Sequence, residues 1–492
     1  MAELTEGAAS GADASGAIAP PPITTRVKVL YSIGGFAYSA NLPLLGLLLL
    51  FYNQLVGLPP QWVSLALSIS LVVDAVWDPL VGYLSDNLRG PLGRRHPLMY
   101  ASAIPFAVCW SLLFLPPRGW SNAGHFAWLL VFITTSRMLQ SLFEVPATAL
   151  TPELAPEYHA RTDLFSYRYV FGAMAGVVAG LLGYGVFLRA TPAHPVGQLN
   201  QAGYGPYAVT VAVVSAAAIL IAATGTHGWI RYLHRPAPRR SRLGPMLREV
   251  WASLFSGNFA TITLSGLFTG VSTGLSGGLA IYFNTYFWEL PSSALLVLTL
   301  TGIFAVPLAA VVASLLSRPM GKKAATMSLT AGALAATIAP FVLRFAGLMP
   351  SNGTTLLIGV LFVTQVLGAI CSGAALILFT SMLSDVVEES ELRTGRRSEG
   401  LLMSSGTMLQ KVLTGFSTIL PGVILALIHF PSNARPGAVS SGVLRGLVLL
   451  SLPAAAIMSL TAIVCLGFYR ISRTSHEANL LVLRREKSGN GR

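Results

Sequence analysis

Residues 71–97 read LVVDAVWDPLVGYLSDNLRGPLGRRHP, and the rest of the chain is read outward from them. Asp74 and Asp78 lie four residues apart in a segment otherwise apolar enough to sit in lipid, and a basic hairpin, Arg94, Arg95 and His96, follows directly. A charge at the centre of a membrane helix costs on the order of 2.5–3.5 kcal/mol, so a paired retention of charge points to use. Four residues make about one helical turn, which sets the two carboxylates on one face roughly 6 Å apart. They repel unless something positive lies between them. A monovalent cation such as sodium, held by carboxylate oxygens, meets that need, and so does a shared proton.

Composition places this stretch in a membrane. The 492 residues are 53% hydrophobic and 10% charged, against about 25% charged in soluble domains, and the mean hydropathy is +0.65. A net charge of +13 would suit a nucleic-acid partner if it were gathered in one domain. It is instead scattered through short connectors, which speaks for topology and against nucleic acid. Cys109, Cys371 and Cys465 all fall within apolar runs, so neither a disulfide nor a zinc framework is expected. Residues 1–25, rich in Ala, Gly, Ser and Pro with acids where a signal peptide carries positive charge, read as a disordered tail.

A span needs about 20 apolar residues. Twelve candidates follow, at 29–52, 61–85, 97–116, 126–148, 166–188, 205–230, 259–288, 292–316, 324–347, 354–383, 402–429 and 442–469. Lys and Arg in alternate connectors divide 24 against 5, with Arg137, Arg168 and Lys411 left inside spans. Both termini are therefore expected on the cytoplasmic side. The basic connector 231–258 separates six spans (26–230) from six (259–470), and 471–492 forms a second tail. Gly93-Arg94-Arg95 after span 2 recurs as Gly321-Lys322-Lys323, 228 residues on, and residues 159–163 are echoed at 395–399, 236 residues on. Glycines in span 5 (Gly172, Gly176, Gly180) and span 7 (Gly266, Gly270, Gly274) read first as close helix packing.

Further charges lie within spans: Arg137 and Glu144 in span 4, Arg168 in span 5 and Lys411 in span 11. Glu144 offers a third carboxylate to the aspartate pair, and Ser141, one turn earlier, a hydroxyl. The alternative is permanent pairing of these acids with Arg137, Arg168 or Lys411; Arg137 and Glu144, seven apart, share a helix face. Outside the membrane, Asp86 with Arg94 and Arg95 reads either as topology alone or as a breakable latch between access states.

DPLVGYLSDN followed by GRRHP resembles the span 2 to 3 motif of the major facilitator superfamily. Asp-x-x-x-Asp-Pro-Leu-x-Gly resembles more narrowly the glycoside-pentoside-hexuronide:cation symporters, as do FEVPATALTPEL in span 4 and SDVVEESELRTGRRSEGLLMSSGTMLQKVLTG in spans 10 to 11. The resemblance implies an all-α membrane protein of twelve transmembrane helices in two six-helix halves, the major facilitator fold, with a substrate site between the halves. It implies a cation site of Asp74, Asp78, Ser141 and Glu144, the aspartates binding the monovalent ion, and a substrate site of Glu144, Arg168 and Lys411. It also implies alternating access that couples sodium or a proton to the passage of a small solute through the bilayer, with no cofactor and as a monomer in the plasma (inner) membrane.

The departures bear on substrate. Leu71 stands where the family often has an arginine, Thr148 where an aromatic stacks on sugar, and span 1 carries no charge, leaving Tyr38 and Asn41 to line the substrate site. YSIGGFAYSANLPLLG in span 1 is similar to the sodium-dependent lysophospholipid transporters of the wider family. A sugar or glycoside is the leading substrate, a lysolipid or other amphipath the alternative. Paired acids also resemble those of intramembrane prenyltransferases, with Asp385 and Glu389 as a second motif, but the two pairs lie at different depths, and no enzyme is expected.

Overall fold

The computed structural model describes residues 23–155, 157–192, 194–232, 257–394, 411 and 414–469. Residues 1–22 of the expected first tail, most of the connector 231–258, the echo at 395–399 and the tail 471–492 lie outside them. Among the described residues every regular element is helical. The helices are α1 (Thr25–Ser39), α2 (Leu42–Leu50), α3 (Pro60–Asn87), α4 (His96–Leu113), α5 (Asn122–Leu154), α6 (Tyr158–Leu182) and α7 (Gln201–His227). A second set follows: α8 (Gly257–Tyr282), α9 (Ser292–Thr299), α10 (Thr301–Phe345), α11 (Thr355–Thr394), α12 (Ile419–Leu427) and α13 (Ser441–Gly467).

Local chemistry sets many of the boundaries. The side chains of Thr24, Ser121, Asn200 and Ser440 accept backbone N–H bonds at the starts of α1, α5, α7 and α13, filling positions a helix leaves open. Ten stretches among the described residues are long and apolar enough to cross a membrane. One of them, Ser292–Phe345, is 54 residues long and holds two expected spans. It breaks at Gly321, whose φ of 76° interrupts α10, a backbone setting glycine reaches without steric cost. Gly93, its counterpart in the repeat, also has a positive φ, 69°. The basic triplet thus marks the break between the helices of spans 8 and 9, as the hairpin after span 2 does between spans 2 and 3. Span 11 is described only at Lys411 and over Thr414–Leu427, so a count of twelve is not reached on the described residues.

Span 1 differs from the single helix expected. It bends at Ala40 and Asn41 between α1 and α2 and ends in a widened π-helical turn, Phe51–Val56. Similar turns, Gly183–Phe187 and Phe283–Phe287, end spans 5 and 7. All three lie on the face opposite the Arg94–Arg95 hairpin, which is called the basic face below. Span 4 packs with spans 2 and 3, span 1 packs with spans 5 and 6, and span 3 joins the two groups through span 6; span 10 packs with spans 8 and 9, and span 7 with span 12.

The two sets meet at the opposite face through uncharged hydrogen bonds. Tyr282 donates to Asn53 Oδ1 at 2.8 Å. Gln54 donates to the Pro431 carbonyl at 3.0 Å and accepts from Ala434 N at 2.9 Å. Buried Gln198 donates to the Leu290 carbonyl at 2.9 Å and accepts from Ser292 Oγ at 2.9 Å. At the basic face, each ion pair among the described residues closes within one set of helices.

Candidate functional site

The site begins where span 11 crosses span 2. Glycines allow a close approach: a Cβ on Gly422 would lie 2.3 Å from the Pro60 carbonyl oxygen, and one on Gly415 3.3 Å from Leu71 Cβ. Small residues at such crossings let backbones approach. Leu71 is therefore a buried packing residue of this crossing. One turn before Gly415, the crossing delivers Lys411 to the aspartates.

Lys411 Nζ lies 2.7 Å from Asp74 Oδ2 and 2.5 Å from Asp78 Oδ2. Ser141 Oγ donates to Asp74 Oδ1 at 2.7 Å. The ammonium stands in the position between the carboxylates that their mutual repulsion requires a cation to fill. Asp78 Oδ1 is buried without a hydrogen-bond partner. Pro79 lacks an N–H, so the Ala75 carbonyl one turn back has no helical donor. These oxygens are of the kind a hard monovalent ion takes, and in this structure the Lys411 ammonium lies against two of them.

A second cluster lies beside the first. Glu144 Oε2 pairs with Arg168 Nη2 at 2.6 Å. Arg168 Nη1 also donates to the Tyr31 hydroxyl at 2.9 Å, and the Tyr31 hydroxyl donates to the Ala147 carbonyl at 2.9 Å. Of the four expected cation ligands, Asp74, Asp78 and Ser141 are together, while Glu144 faces Arg168 and has no ion pair with Lys411. Of the pairings weighed as the alternative, Asp74 and Asp78 do pair with Lys411 and Glu144 with Arg168, while Glu144 and Arg137 do not pair. Arg137 has no ion pair or hydrogen bond among the described residues, and its Nε is buried without a partner.

The two span 1 residues part ways. Tyr38 is half exposed. Asn41 is buried and donates to the Ala37 carbonyl at 2.5 Å and to Ser215 Oγ at 3.5 Å, bracing the bend in span 1 against span 6. Tyr31, the first residue of the quoted span 1 stretch but not among the expected site residues, is the residue of span 1 that reaches Arg168.

At the basic face Arg95 Nη1 pairs with Asp86 at 2.7 Å, as the hairpin suggested. Glu153 was missed, yet its Oε1 receives Arg94 at 2.6 Å and Arg95 at 3.0 Å. The repeat held the signal: Lys322, counterpart of Arg94, pairs with Asp385 at 2.8 Å, and Asp385 ends span 10 as Glu153 ends span 4.

Long apolar helices in two repeated sets, joined at their centre by a lysine held between two aspartates, define a membrane transporter of major facilitator architecture. The chain belongs to the MFS/sugar transport protein family, whose pattern matches residues 30–473. A sodium-dependent lysophosphatidylcholine symporter (1-A) of Danio rerio is 27% identical, covering 94% of this chain and 90% of that protein. A putative glycoside/cation symporter of Escherichia coli K12 is 24% identical over 93% of this chain and 94% of that one. An uncharacterised symporter of Synechocystis is 31% identical over 53% of this chain, and that match takes in 46% of the relative's length. Among solved structures, the inward open conformation of the xylose transporter XylE from E. coli superposes with a TM-score of 0.62 at 13% identity, covering 93% of this chain and 99% of that one. That likeness shows the fold. The family is one of transporters and not of enzymes, which removes the prenyltransferase reading.

Proposed function

We propose that the protein is a symporter that couples a monovalent cation, sodium or a proton, to the movement of a sugar or glycoside by alternating access. The observation that carries this reading is the Lys411 ammonium between Asp74 and Asp78. Lysine and coupling ion compete for the same oxygens, so ion binding frees Lys411 toward the solute. The Glu144–Arg168 pair, one turn along span 4 from Ser141, is the polar wall against which solute hydroxyls exchange hydrogen bonds. Halves at 26–230 and 259–470 rock about this centre, with the basic face and both termini cytoplasmic by the charge split, and a monomer in the plasma (inner) membrane suffices. The glycoside/cation relative supports the substrate class.

A second reading, an amphipathic solute such as a lysolipid, is favoured by one feature. A cavity of about 420 Å³ lies in the second half between spans 7, 9, 10 and 12, lined by Thr269, Thr273, Thr330, Leu334, Leu376 and Phe379 among others, with no charged residue in its wall. It suits an apolar chain better than a sugar ring. A thermal-shift screen of purified protein against sugars, glycosides and lysolipids, each with and without sodium, separates the two readings, because whatever binds the folded state stabilises it. Sodium-dependent stabilisation by glycosides alone supports the first; by lysolipids alone, the second.

A further inference from the structure

Among the described residues Arg137 is the one intramembrane charge that the proposed transport cycle leaves unused. It lies one turn before Ser141, whose hydroxyl is bonded to Asp74, and its neighbour Met138 is tied to span 2 by Trp77 Nε1 donating to the Met138 carbonyl at 3.0 Å. Its Nε is buried without a partner, on the stretch of span 4 that these two bonds tie to span 2. Glu144, the acid on its own helix face, is committed to Arg168. Arginine does not give up its charge in a protein, so this one is a fixed positive charge beside the aspartate pair.

The charge count follows. Asp74, Asp78 and Arg137 together carry one net negative charge, which one positive group neutralises. In this structure the group is Lys411. We infer that Arg137 sets the exchange ratio of the site: with it present, one alkali cation and the Lys411 ammonium exclude each other, so each ion bound expels the lysine. Without it the site carries two negative charges and holds ion and lysine together, which breaks the link between ion binding and release of Lys411. The inference rests on the cation-site reading above and adds to it a residue that determines coupling without itself being an ion ligand.

The experiment is labelling of Lys411 by an amine-reactive reagent in the purified full-length protein, quantified by mass spectrometry in sodium chloride and in choline chloride, with thermal stability followed in parallel. Wild type should show several-fold more labelling in sodium. Arg137→Lys, which keeps the charge, should behave the same way. Arg137→Gln should still be stabilised by sodium while its Lys411 labelling no longer responds; if that variant does not fold, Arg137→Met, which keeps the aliphatic stem, is read in its place. Wild-type-like labelling in the neutral variants, or loss of the response in Arg137→Lys, overturns the inference and leaves the cation site standing. So does a wild type that sodium stabilises without exposing Lys411. A wild type that neither sodium nor lithium stabilises overturns the inference and removes sodium as the coupling ion.

Discussion

Lys411 Nζ lies 2.5 Å from Asp78 Oδ2, although 333 residues separate them in the chain. This contact joins the two halves at their centre. Asp78→Asn leaves Asp74 to hold the lysine alone and removes one of the two carboxylate charges of the site. Ion-driven accumulation is expected to disappear while folded protein is still recovered, as measured by solute uptake under an imposed ion gradient. Normal accumulation in that variant would take the aspartates out of the cation site.

The Glu144–Arg168 pair is partly buried, and breaking a fully buried pair costs about 3–5 kcal/mol. With a third of the Glu144 side chain exposed, each single change, Glu144→Gln or Arg168→Gln, is expected to cost about 2–3 kcal/mol in unfolding free energy. The double variant should recover about 1–3 kcal/mol of the summed loss, because neither charge is then left alone. Additive losses in a denaturation cycle would mean that the pair is not formed.

At the basic face Glu153 gathers two arginines and Asp86 only one, from an exposed position. Asp86→Asn should therefore change stability by no more than about 1 kcal/mol, and Glu153→Gln by distinctly more, since it strands Arg94 and Arg95 together. Thermal denaturation of the two variants side by side decides the order.

A side chain at Gly422 has nowhere to go, since its Cβ would meet the Pro60 carbonyl and Ser64. Gly422→Val should wedge span 11 off span 2 and draw Lys411 from the aspartates. Its ion dependence should match that of Lys411→Gln in the same thermal-shift assay. A variant that keeps wild-type ion dependence would show that the crossing does not position the lysine.

Gln198 is fully buried and bonds Leu290, Thr285 and Ser292 across the halves. Gln198→Ala should loosen the opposite face. In a protein freed of its own cysteines, a cysteine at buried Ser64 should then react several-fold faster with a membrane-impermeant thiol reagent added from that face. An unchanged rate would place the seal elsewhere.

Much of the site was legible in the chain because burying charge in lipid is costly. Asp74, Asp78, Glu144, Arg168 and Lys411 stand out against apolar spans whatever the fold. Tyr31 was visible as a polar residue of span 1, but its role was not, since a tyrosine in an uncharged span looks like packing until Arg168 is seen bonded to it. Glu153 was legible only through the repeat. The short Gly-Arg-Arg and Gly-Lys-Lys echo marked the bases, and the matching acids at the ends of spans 4 and 10 complete it.

The sequence by itself determined the membrane class, the repeat and the inventory of charges, because hydropathy and the cost of burying ions are local properties of each segment. Only the tertiary structure decided how those charges divide. Pairing depends on which faces meet across a crossing: the Gly415–Leu71 approach sends Lys411 to both aspartates. The neighbouring turn of span 4 gives Glu144 to Arg168. Arg137, which its spacing on one helix left open to pairing with Glu144, has no ion pair among the described residues.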